Sequence, residues 1–101
     1  MKYVVIIRPE AENDLTNAFS WYEDKRKGLG YDFILQVDSS LHFIQRIPFA
    51  HPIEYKDVRK CLIKKFPYKI LYIIVDEKVI VLAVIHGKRN PDLSKKRMNN
   101  A

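Results

Sequence analysis

The chain has 101 residues, 48% of them hydrophobic, and a net charge of +6; that suits one ordinary domain with its own core and excludes both disorder and a second domain of usual size. Its one cysteine, Cys61, excludes an internal disulfide, and no His, Cys, Asp or Glu group has metal-ligand spacing. Residues 1–55 hold six basic and eight acidic side chains, a net of −2, whereas residues 56–101 hold twelve and four, a net of +8, which points to an anionic partner for the second half, nucleic acid or an acidic protein segment, or else to a solvated basic surface.

The run Tyr3-Val4-Val5-Ile6-Ile7 is too short for a signal-peptide core, and no later apolar run approaches a membrane span. A soluble, cytoplasmic protein without membrane attachment is expected. Residues 2–7, rich in β-branched side chains, predict a first strand. Pro9 suits the first turn of a helix, and Glu10, Glu12 and Asp14 sit where the helix dipole favours negative charge. Ala11, Leu15, Ala18, Phe19 and Tyr22 share one face, and Lys25 to Lys27 with Gly28 mark the stop, so the first helix runs from Pro9 to Lys27. Phe33, Ile34, Val37, Leu41, Ile44 and Ile47 define a second helix that ends at Pro48. The Gly28-Leu29-Gly30 connection forces the two helices into an antiparallel hairpin.

Residues 48–57, with Pro48 and Pro52, read as a loop. Three strands follow: Val58–Phe66, unusually cationic, then Tyr68–Asp76 and Lys78–His86, the last two reversing at Asp76-Glu77. After Gly87, Asn90 and Pro91 comes a polar, basic tail. Both parities of Tyr68–Val75 are apolar, Ile70, Tyr72 and Ile74 against Leu71, Ile73 and Val75. A helix pair covers one sheet face only. The tail offers chiefly Leu93 and Met98, so closure of the second face by a copy of the chain or by another protein is favoured over closure by the tail.

Several strings carry a resemblance in their order and spacing. They are Ala11-Glu12-Asn13-Asp14-Leu15 with Trp21-Tyr22, then Gly28-Leu29-Gly30 with Phe33, and Val58-Arg59 followed by Phe66-Pro67-Tyr68 and Tyr72. The last is Val84-Ile85-His86-Gly87-Lys88-Arg89-Asn90-Pro91. From Tyr3 to Pro91 the chain resembles the RelE/ParE toxin superfamily, the toxins of type II toxin–antitoxin systems, including plasmid-stabilisation proteins. The resemblance implies a single α+β domain over residues 1–101, with an N-terminal strand, a helix hairpin and a three-stranded antiparallel meander. It also implies a cytoplasmic toxin that arrests growth and is neutralised by a cognate antitoxin, as a homodimer or a toxin–antitoxin hetero-oligomer. RelE-like members look like ribosome-dependent endoribonucleases that cut messenger RNA; ParE-like members look like non-enzymatic inhibitors of DNA gyrase. The fold leaves both open. So does a reading from a different class, a non-toxic basic RNA- or protein-binding module.

Metal-free RNA cleavage needs a base for the 2′-OH, cations for the phosphorane and an acid for the leaving oxygen. His86 ends the last strand and can serve as acid or base. Arg59 and Arg89 can grip phosphate bidentately. Lys60, Lys64, Lys65, Lys69 and Lys88 can track a nucleic-acid backbone or a target surface. The resemblance assigns Arg59 and His86 to positions used by some ribonuclease members. One departure counts against cleavage: Gly87 follows His86 and no tyrosine occurs after Tyr72, leaving Tyr55, Phe66 or Tyr68 to stack a base. Structural readings stand beside these: His86 as a strand cap, Arg89 paired with Asp92, Tyr68 and Cys61 in the core. His42 and His51 have no motif. No glycine-rich phosphate loop or serine nucleophile elbow implies a cofactor or covalent chemistry.

Overall fold

The computed structural model describes residues 3–89 and 91–99. Lys2 of the expected first strand, Asn90 of the closing turn and the Leu93 side chain lie outside the described residues. The order is β1 (Val4–Ile7), α1 (Pro9–Lys25), α2 (Leu29–Arg46), a 3-10 turn (Pro48–Ala50), β2 (Ile53–Tyr55), β3 (Val58–Leu62), β4 (Tyr68–Val75), β5 (Lys78–His86) and α3 (Pro91–Asn99). The class is α+β with a helix hairpin, as expected.

The sheet is larger than a three-stranded meander. Five strands lie in the order β1-β5-β4-β3-β2, and β1 runs parallel to β5, so the sheet is mixed. Residues 53–55, expected in a loop, form β2 and pair with β3. The cationic strand ends at Leu62 instead of Phe66, because Ile63 to Pro67 make the connection to β4 and Lys65 takes φ +69 there. The first helix stops at Lys25; Arg26 is already extended, and Gly28 at φ +90 starts α2.

The helix hairpin is set by close packing and one carboxylate. A Cβ at Gly30 would lie 2.7 Å from the Phe19 carbonyl oxygen, so only glycine lets α2 approach α1 this closely. Glu23 accepts hydrogen bonds from the Gly28 and Gly30 N–H groups, each 2.9 Å, placing negative charge at the α2 N-terminus where the dipole favours it. The hairpin buries Ala11, Ala18, Tyr22, Phe33, Val37 and Ile44 against Cys61, Ile70, Tyr72, Val79, Val81 and Val84 of the sheet. Cys61 is a buried core thiol, and burial pushes its pKa up against a hydrogen bond from Ser40 that pulls it down.

The second face closes differently from expectation. A bulge leaves Leu82 unmatched, with Leu71 opposite Ala83 and Tyr72 opposite Val81, so the side-chain parity of β5 inverts there. Leu82, Ala83 and Ile85 then join Val58, Leu71 and Met98 in a second cluster. Met98 comes from α3, so the basic tail is a helix and covers part of this face itself. Two weak signals were enough for that: Pro91 with Asp92 at the start and Lys96 and Arg97 in the last turn. Beyond the reach of α3, Val4, Ile6 and Val75 stay exposed.

A half-buried ion pair fastens α3. Among the described residues no strand continues β1 past Ile7, so the outer edge of β5 from Leu82 onward has no strand beside it there. Asp14 of α1 accepts the Val84 N–H at 3.0 Å and binds Arg97 of α3 through both carboxylate oxygens, 2.9 and 3.3 Å. Arg97 also donates to the Leu82 carbonyl at 3.3 Å. The two side chains thus stand in for a missing strand and blunt that edge.

Candidate functional site

The candidate residues gather at two places. The first is the end of the sheet beside α1. Tyr68 and His86 are cross-strand partners, their rings meeting edge-on at 5.3 Å. His86 Nδ1 accepts the Lys88 backbone N–H at 3.0 Å, which leaves Nε2 to carry the proton of the neutral ring. His86, Arg89, Tyr68, Trp21, Asn17 and Asp14 line a pocket of about 630 Å³. Trp21 is 55% exposed, with the Lys25 ammonium 4.7 Å above its ring. Tyr68 packs on Tyr22 and Phe33 as a core residue should, and burial raises its hydroxyl pKa, helped by the Asp14 charge. Lys88 is exposed beside the pocket.

The second place is β3 and the segment before it. Arg59 turns part of its guanidinium to its own chain. Its Nη1 donates to the His51 carbonyl at 2.6 Å and the Phe49 carbonyl at 3.3 Å, and the guanidinium lies 5.1 Å from the Phe49 ring. Tyr72, opposite Arg59 in the sheet, donates to the Pro48 carbonyl at 2.6 Å and meets His51 Nδ1 at 3.2 Å. Together they clamp residues 48–51 onto the sheet. Burial, reinforced by the buried Cys61 thiol and opposed by Arg59, pushes the Tyr72 hydroxyl up to about 12, so it stays a proton donor. Burial and then the Arg59 charge hold His51 below its usual pKa, keeping it neutral.

Lys60 and Lys69 are also engaged. The Lys69 ammonium pairs with one Glu54 oxygen, and Lys60 lies 3.4 Å from the other. Burial alone would raise the Glu54 pKa; the Lys69 ammonium and then Lys60 outweigh it and hold the carboxyl low. A carboxylate shared by two ammonium groups cancels half of the positive charge of that pair. Lys64 and Lys65 are exposed in the β3–β4 connection.

The expected trio therefore does not converge. Arg59 stands opposite Tyr72 and His86 opposite Tyr68. Four residues of β4 separate those two positions, roughly 13 Å along the strand, far beyond the reach of one phosphate. His86 and Arg89 share a pocket; Arg59 is elsewhere, its Nη1 taken by two carbonyls. Sequence reasoning also missed Glu54, Asp14 and His51 as partners. Glu54 could have been noticed, with Asp57, as an acid just before a cationic strand, but its pairing depends on β2, which the sequence reads as a loop.

Strand, helix hairpin, curled sheet and C-terminal helix define the RelE/ParE toxin architecture, and solved structures share it. A chromosomal ParDE toxin–antitoxin system from P. aeruginosa superposes with a TM-score of 0.75 at 12% identity, covering 83% of this chain and 95% of that one. A mutant of the E. coli toxin RelE in the free state gives 0.67 at 16% identity, covering 99% and 98%. Sequence narrows the class: the chain belongs to the ParE toxin family of type II toxin–antitoxin systems, whose model matches residues 5–91. Toxin ParE2 of Mycobacterium tuberculosis is 34% identical over 82 residues, spanning 80% of this chain and 78% of its own.

Proposed function

We propose that this toxin acts without catalysis, by binding DNA gyrase as ParE-like members do, and that a cognate antitoxin neutralises it in the cytoplasm. One observation carries the reading: three of the cations that an RNase could use on the meander are engaged within the fold, Arg59 through Nη1 on two carbonyls and Lys60 with Lys69 on Glu54. Arg59 Nη1, committed to two backbone acceptors, cannot also grip a developing phosphorane without releasing residues 48–51, which leaves Nε and Nη2 alone for that role. The ParE family description and the ParE2 relative support the same side of the division. His86, Arg89 and Lys88, grouped at the strand end with exposed Trp21, form the surface offered to the target, a basic and aromatic patch suited to a protein hot spot.

The test pairs two assays. Purified toxin added to gyrase should inhibit supercoiling, and brief induction in cells should arrest growth with transcript ends unchanged. Arg89→Glu together with Trp21→Ala should relieve the inhibition. New transcript ends within reading frames, with gyrase unaffected, would reject the reading in favour of RNA cleavage. Normal growth with confirmed soluble protein would favour a non-toxic binding module.

A further inference from the structure

The pocket that holds His86 and Arg89 also holds Asp14, the one carboxylate lining it among the described residues. A carboxylate and a guanidinium in one part-buried cavity attract each other, and the bidentate pair is the strongest form of that contact. Yet among the described residues no ion pair joins Arg89 to Asp14, nor to Asp92 of α3. The backbone of Arg89 is fixed, its N–H on the His86 carbonyl at 3.0 Å. Its guanidinium is left without a carboxylate. The surroundings of Asp14 give the reason. Arg97 takes both of its oxygens, Nη1 on Oδ2 at 2.9 Å and Nη2 on Oδ1 at 3.3 Å, and the Val84 N–H takes Oδ2 again at 3.0 Å. With the Asp14 side chain only 12% exposed, little of the carboxylate remains for a second arginine. Arg97 reaches it from α3, the element that follows the connection carrying Arg89, and does not itself line the pocket.

We propose that Arg97 is a positioning residue: by occupying Asp14 it keeps the Arg89 guanidinium free for a carboxylate on the target. Without Arg97, Arg89 folds onto Asp14, and the chain's own acid takes the place of the partner's. The proposal rests on the gyrase reading above and adds the chemistry of the contact, an acidic side chain of the target that meets Arg89 beside Trp21.

The test measures supercoiling inhibition per folded molecule of full-length toxin, beside the 15N–1H signal of the Arg89 Nε–H. Arg97→Ala should raise the half-inhibitory concentration about tenfold, because only molecules with Arg89 released can bind the target. The same change should slow exchange of the Arg89 Nε–H with solvent. Arg97→Lys, which can still hold Asp14, should stay within about threefold of wild type. The discriminating variant adds Asp14→Asn to Arg97→Ala. Its amide oxygen can still accept the Val84 N–H, but a neutral amide holds a guanidinium far less strongly than a carboxylate does. Inhibition should therefore return to within about threefold of wild type, and the Arg89 Nε–H should again exchange fast. A purely structural Arg97 predicts no recovery, since α3 is at least as loose in the double variant as in the single one. Inhibition that Asp14→Asn fails to restore, or an Arg89 signal unchanged by Arg97→Ala, would overturn the proposal and leave the functional reading standing. Wild-type toxin without effect on gyrase would instead remove that reading and the target carboxylate with it, while the Arg89 signal still reports whether Arg97 keeps Arg89 off Asp14.

Discussion

Removing the Asp14 carboxylate should loosen α3 and cost more stability than any other single surface-proximal change. Asp14→Ala leaves the Val84 N–H without its acceptor and Arg97 without its counter-ion, at a pair whose side chains are 12% and 22% exposed. An orphaned backbone donor costs about 1–3 kcal/mol, and stranding a half-buried guanidinium adds about 1 kcal/mol after allowance for solvent. The sum, about 3 kcal/mol, corresponds to a fall in Tm of roughly 12–20 °C for a domain of this size. Arg97→Ala should cost less, about 1–2 kcal/mol, because Asp14 keeps the Val84 N–H. A double-mutant cycle by urea denaturation should then give a coupling of about 1–2 kcal/mol. Hydrogen exchange should show α3 opening in both variants while α1 and α2 stay protected. Single changes that each cost under about 0.5 kcal/mol, with no coupling, would refute the idea that this pair anchors the helix and covers the β5 edge.

Other outcomes follow from the same geometry. Gly30→Ala should destabilise by about 2–3 kcal/mol, because the added methyl meets a backbone oxygen 2.7 Å away that cannot give; a Tm change under about 2 °C would contradict it. Arg59→Ala should lower Tm and expose residues 48–52 to protease while leaving gyrase inhibition by the folded fraction intact, as measured per folded molecule. Glu54 has a depressed folded pKa, so its contribution is present above the unfolded carboxyl pKa and lost as pH falls through the lower folded value. Glu54→Gln should therefore flatten the stability profile between neutral pH and acid, read from urea midpoints. His51, held neutral, acts in the same direction, losing stability as pH drops below its usual value.

Much of the fold was legible because its signals are local. Pro9, the acidic first turn and the apolar spacing located α1, and Asp76-Glu77 located the β4–β5 hairpin. What escaped depends on partners distant in sequence. β1 is only four residues and its parallel match with Lys78–Val81 leaves no sequence trace. β2 is three residues directly after Pro52, below the length at which alternation can be read. The tail looked too polar to matter, yet Met98 and the Asp14–Arg97 bond suffice to seat it. At the site, residue type was a poor guide to role. Arg59 and His86 both fit a cleavage chemistry, but strand register put His86 beside the first residue of β4 and Arg59 beside Tyr72, four residues on, where its Nη1 binds two carbonyls. The count of twelve cations in the second half likewise overstated the free charge, because Glu54 and Asp14 come from elsewhere in the chain to pair with three of them and cancel two charges.

The central claim is that the meander cations hold the fold together and that toxicity works through a bound protein target. Its most direct measurement is a supercoiling assay on purified gyrase with wild-type toxin, run beside transcript-end mapping in the same strain. Loss of supercoiling with intact messages is the predicted pair of results; intact supercoiling with messages cut during translation would contradict the account.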